Sequence, residues 1–138
     1  MIEFTSQTSF EFKETQKTAA WIEQVIVQKG FKLGDISYVF CDDEQLLKVN
    51  IEFLNHDTYT DIITFDYSMG KTVSAEIMIS VDRVKENATT YDQSFDRELH
   101  RVIIHGVLHC MGMKDGDQKA SEQMRLEEDK SLQLLENQ

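Results

Sequence analysis

Ile103-Ile-His-Gly-Val-Leu-His-Cys-Met-Gly-Met-Lys-Asp115 is an apolar run broken by two histidines, two glycines and a closing aspartate. His105 and His109 stand four residues apart, so on a helix both imidazoles leave the same face. That spacing lets two histidines bind one ion. Ile103, Ile104, Val107 and Leu108 surround them, which predicts a largely buried helix. Ser94 offers an N-cap for it, and the helix is expected from Phe95 to Met111, ended by Gly112. A left-handed turn at Gly112 would swing Asp115 back toward the imidazoles. Two neutral nitrogens and one carboxylate leave a coordination position open for water, the pattern of a catalytic zinc site. An ion there lowers the pKa of its water and polarises a phosphoryl oxygen. The competing reading is a pair of core or rim histidines bonded to carbonyls, with Asp115 an ordinary turn residue. Gly106 stands where a zinc protease of the HExxH type carries its general base, which argues against that class.

Outward from this helix, a final helix is expected from about Gln118 to Leu135, with Met124, Leu132 and Leu135 on its inner face. Toward the N-terminus, Asp61-Ile-Ile-Thr-Phe and Val73-Ser-Ala-Glu-Ile-Met-Ile-Ser are β-rich runs around a loop with Gly70. They fit a hairpin or neighbouring strands of one sheet. A short polar helix follows from Val81 to about Ala88. Residues 2–5 and 8–12 alternate in strand fashion, and residues 35–41 read as a further strand. Ala19, Ile22, Val25 and Ile26 mark a helix over 14–29 stopped by Gly30. Asp42 or Asp43 caps another, running to about Leu54. Elements that alternate and then turn helical predict an α+β fold, a small mixed β-sheet packed between helices.

The chain of 138 residues is expected to form a single domain, 1–138, able to bury about two-thirds of its unfolded surface. Its 41% apolar and 28% charged content is that of a globular protein, without repeats or low-complexity tracts. No apolar run approaches the ~20 residues of a membrane span. The start, Met-Ile-Glu-Phe-Thr, has no basic or apolar leader, which argues against a secretory signal. Cys41 and Cys110 match no zinc-ribbon spacing and make no disulfide framework, so a cytoplasmic setting is expected. The net charge of −11 opposes unaided binding to a phosphate backbone.

Taken together, these blocks resemble the YbeY family, whose signature runs His-Gly-x-Leu-His-x-x-Gly-x-Asp-His. HGVLHCMGMKD (105–115) matches it, and three other blocks match in order. Asn50 to Phe65 resembles a family segment of an Asn, an aromatic-Arg pair and Thr-(Asp/Asn)-Val-Leu-Ser-Phe. Ala75-Glu-Ile-Met-Ile-Ser resembles its Gly-Asp-Ile-x-Ile-Ser strand, and Met124 with Glu128 its Met-x-x-x-Glu. The resemblance covers about residues 35–130. It implies an α+β fold with the histidine helix against a mixed sheet, one bound zinc, and single-strand-specific endoribonuclease activity. It also implies a role in maturing ribosomal RNA, with that RNA and the small ribosomal subunit or its assembly proteins as partners.

Two departures stand out. The usual third histidine aligns with Asp115, still a legitimate zinc ligand. The extra charge reduces the ion's Lewis acidity and moves the set His105, His109, Asp115 toward one suited to iron(II) or another divalent metal. The arginine expected after the aromatic is Leu54, which cannot hold a phosphate. His56 and Lys114 are alternative phosphate contacts, although His56 also reads as a surface loop residue. The general base stays open among Asp61, Asp66 and Glu76. Glu127-Glu128-Asp129-Lys130 reads as a solvated helix face, and Cys110 as a small core residue. A non-catalytic assembly factor with a structural metal, and a metal hydrolase of another substrate such as a peptidase, are the alternatives.

Overall fold

A computed structural model describes all residues from Met1 to Gln138. The order is β1 (Ile2–Ser6), α1 (Thr15–Gln28), β2 (Lys32–Cys41), α2 (Asp43–Leu54), β3 (Ile62–Asp66), β4 (Thr72–Ser80), α3 (Val81–Thr90), α4 (Phe95–Cys110) and α5 (Gln118–Glu136). The sheet runs β1-β2-β4-β3, parallel for β1·β2 and β2·β4 and antiparallel for β3·β4. This is the expected mixed sheet in an α+β arrangement.

Strand alternation assigns the two faces. Ile36, Tyr38 and Phe40 of β2, with Ala75, Ile77 and Ile79 of β4, join the main core with α1, α4 and α5. Cys41, Ile63 and Met78 point the other way, under Leu46 of α2. The sheet is thus covered on both faces, and α4 lies near its middle. Two buried hydrogen bonds tie the layers: Tyr38 Oη donates to the Ile103 carbonyl at 2.8 Å, and Trp21 Nε1 donates to the Ser131 carbonyl at 2.7 Å.

The predicted caps form. Asp42 and Gln45 make a reciprocal capping box on α2, Ser94 accepts from Arg97 N on α4, and Gly112 takes φ +98°. The strand expected over 8–12 does not. The last ladder-like bond is Gln7 N to Phe40 O. Ser6 and Thr8 hydroxyls then accept from the N–H groups of Thr8 and Phe10, turning the chain off the sheet. The alternation of Phe10 and Phe12 is real but serves packing, since both rings pack against Phe40. No helix is long and apolar enough to cross a membrane.

Candidate active-site cleft

The mouth of the site is a cleft of about 580 Å³ between α4, the start of β3, the end of α3 and the first half of α5. Its position follows from Gly106. A Cβ there would lie 3.0 Å from Ile77 Cδ1, 3.2 Å from Ile62 Cδ1 and 3.3 Å from Thr64 Oγ1. The helix therefore presses against β3 and β4 at Gly106, while His105 and His109 emerge on the flank that lines the cleft. The same contact explains the missing HExxH glutamate: its position faces the apolar sheet, not the opening.

His105 is half-buried and fixed from both sides. Its Nδ1 lies 2.7 Å from Glu128 Oε2, and its Nε2 lies 3.2 Å from Asp115 Oδ2. Burial alone would lower the imidazole pKa, yet the Glu128 bond and the charges of Glu128, Asp115 and Asp61 leave it raised. Those acids favour a positive charge at Nε2, whether a proton or a metal ion. The carboxylate on the far nitrogen is also the support that metal-binding histidines commonly carry. His109 is exposed on the same cleft, as is Asp115 beyond the Gly112 turn. The donor types suit a divalent ion, but the three side chains do not stand as a closed metal-holding cluster. An ion would have to replace the direct contact between His105 and Asp115.

Behind His105 lies a buried ion network that sequence reading did not find. Arg101 bonds Glu128 Oε1 at 2.9 Å and Asp129 Oδ1 at 2.6 Å, with Glu98 Oε1 3.8 Å from its Nε. The expected solvated face Glu127–Lys130 is corrected at Glu128, whose side chain is 8% exposed and joins Arg101 to His105, and at Glu127, which is largely covered and paired with Lys29 at the end of α1. The signal was the spacing Met124 to Glu128, which places the acid one turn along from a core methionine. Glu98 is buried, lines the cleft, and has its pKa raised by burial.

Of the proposed bases, Asp61 lines the cleft. Its Oδ2 accepts from Asn87 Nδ2 at 3.3 Å, and burial, partly offset by His105, raises its pKa. Glu76 is misplaced for that role: β4 alternation sends it to the sheet face opposite α4, where it is exposed. His56 and Lys114 are exposed and do not line the cleft, and Asp66, also outside it, accepts from Ser68 N. Leu54 does line it. Burial pushes the Cys110 thiol up to about 12, so it is an inert core residue.

The family model described as endoribonuclease YbeY matches residues 2–136. The chain belongs to the YbeY family. An endoribonuclease YbeY from Christiangramia forsetii is 47% identical over 97% of this chain and 94% of its own length. One from Flavobacterium johnsoniae is 46% identical, over 98% and 97% respectively. One from Porphyromonas gingivalis is 52% identical over 83% of this chain and 76% of its own. A solution structure from Thermotoga maritima superposes with a TM-score of 0.69 at 25% identity, covering 98% of this chain and 89% of that one. The YbeY match therefore includes the 8–12 segment and α1, outside the 35–130 span of the resemblance.

Proposed function

We propose that this chain carries out the endoribonuclease role of its family by metal-assisted hydrolysis of single-stranded RNA, in the cytoplasmic maturation of ribosomal RNA. The observation that carries this reading is His105 held at Nδ1 by Glu128 while Nε2 meets Asp115 in an open cleft. His105, His109 and Asp115 would hold the ion, zinc or another divalent metal. When bound, the ion would acidify water and steady charge on the phosphoryl group.

The protein's own groups supply the rest. Glu128 holds His105 in one tautomer and ring orientation. Asp61, shielded and with a raised pKa, is suited to accept a proton from the attacking water at a carboxylate oxygen. Replacement Asp61→Asn keeps the side-chain shape and removes a carboxylate whose ionisation burial disfavours. The expected result is unchanged or slightly higher thermal stability with kcat lower by roughly 10²–10⁴. An Asn variant with wild-type kcat would remove Asp61 from the chemistry.

The proposal as a whole is tested by elemental analysis of wild type, His109→Ala and Asp115→Ala, purified without added metal, alongside cleavage of an unstructured RNA. About one ion per wild-type chain, with loss of both ion and cleavage in the variants, is the expected outcome. Full metal with equal cleavage in all three proteins would refute it. The assembly-factor alternative draws support from Leu54 and the −11 charge. Rescue of ribosome maturation by His105→Ala would favour it, since a nuclease lacking its ligand should not rescue.

A further inference from the structure

The cleft is an unpromising place for a polyanion. Its lining carries the carboxylates Asp61, Glu98, Asp115 and Glu128, against Arg101 and Arg125 as its basic side chains. Arg101 is spent: its side chain is 6% exposed and tied to Glu128 and Asp129. Arg125, exposed on α5, makes no salt bridge or side-chain hydrogen bond with any acid of the chain, although its charge partly offsets the effect of burial on the Glu98 carboxyl in the same cleft. Its guanidinium instead lies 5.6 Å from the centre of the Tyr91 ring. Tyr91 caps the end of α3 and lines the same cleft. The arginine expected beside the site is Leu54, so that wall offers no cation.

We infer that Arg125 is the phosphate-binding residue of this cleft, gripping a backbone phosphate of the RNA strand next to the cleavage position. Tyr91 acts as a positioning residue that holds the guanidinium over its ring. The inference rests on the endoribonuclease reading of the cleft. Three features support it. A free guanidinium offers a planar fork that matches two phosphate oxygens. Stacking on an aromatic face orients it without using up its donors. Its location on the cleft lining supplies positive charge beside Asp61 and Asp115, which no lysine or arginine neutralises.

The test compares wild type with Arg125→Gln, Arg125→Lys, Tyr91→Phe and Tyr91→Ala, using a short fluorescent, unstructured RNA. Steady-state cleavage gives KM and kcat, and fluorescence anisotropy in a His109→Ala background gives binding without turnover. Arg125→Gln should raise KM and Kd about tenfold with kcat within about threefold, and flatten the salt dependence of log Kd by about 0.7. Arg125→Lys should recover part of the loss. Tyr91→Phe should match wild type, while Tyr91→Ala should weaken binding less than Arg125→Gln does. Wild-type KM, Kd and salt slope in Arg125→Gln would overturn the inference while leaving the nuclease reading intact. Failure of wild type to bind or cut the RNA would overturn both. All four substitutions are at exposed positions, and matching melting temperatures will separate a binding defect from misfolding.

Discussion

Gly106→Glu is expected to yield no stably folded protein. The position belongs to the helix that carries both histidines, and a glutamate there would restore the HExxH spacing on paper. In the fold, even a methyl group would meet Ile77 Cδ1 at 3.0 Å and Ile62 Cδ1 at 3.2 Å, and Ile77 is fully buried. A glutamate would have to bury a carboxylate among those side chains or push α4 off the sheet. Either exceeds about 4 kcal/mol, a large part of the 5–15 kcal/mol that stabilises a typical domain. Gly106→Ala separates packing from helix propensity. Alanine gains up to about 1 kcal/mol in a helix, against an overpacking cost of about 1–3 kcal/mol, so a net loss near 1 kcal/mol is expected. Urea unfolding followed by circular dichroism measures both. A Gly106→Glu protein with native stability would mean that α4 does not lie against β3 and β4 as described.

The contrast between what was readable and what was not follows the range of the interactions. Helix caps are local chemistry, and Asp42, Ser94 and Gly112 announced the helix ends because each satisfies or turns backbone only a few residues away. Strand composition is equally local, so residues 35–41 read as a strand. The separation of Ile36, Tyr38 and Phe40 from Val39 and Cys41 onto two faces came with the helices that cover them. Alternation misled at Phe10 and Phe12, because it reports which way side chains point and not whether the backbone has a partner. There the Ser6 and Thr8 hydroxyls took the amides first.

The site divides in the same way. His105 and His109 were visible as a pair because helix geometry fixes their common face. Asp61 was one candidate among three, and only the fold distinguishes it from Glu76, whose strand position sends it through the sheet. Glu98, Arg101 and Arg125 left no local signal, since ordinary amphipathic helices carry such residues. Their meaning arises where α4 meets α5, at separations of 27 and 28 residues for the two Arg101 bonds. Charge-run reasoning failed here because Glu127, Glu128 and Asp129 each find a basic partner outside α5, Lys29 for the first and Arg101 for the other two, and only Lys130 stays largely in solvent.

Glu128→Ala is expected to damage stability and site together, because one carboxylate serves both. Its Oε1 holds Arg101 and its Oε2 holds His105, and the Arg101 side chain is only 6% exposed. Removing the acid leaves a buried guanidinium with one firm partner, Asp129, and a distant Glu98, a loss of roughly 3–5 kcal/mol. It also frees the His105 ring, for which a fall of about 10–100-fold in metal affinity is expected. Glu128→Gln divides the two effects. The amide keeps an acceptor for one neighbour and the side-chain volume, so it should recover a good part of the stability. It cannot supply a carboxylate to Arg101 and His105 at once, so metal affinity should remain low. Denaturant unfolding and competition with a chromophoric chelator read the two quantities separately. Loss of stability in both variants with wild-type metal affinity would make Glu128 a structural ion-pair partner alone. Low affinity in a stable Gln variant would establish that the buried network orients the metal-facing histidine, and that its charge is retained for the site as well as for the fold.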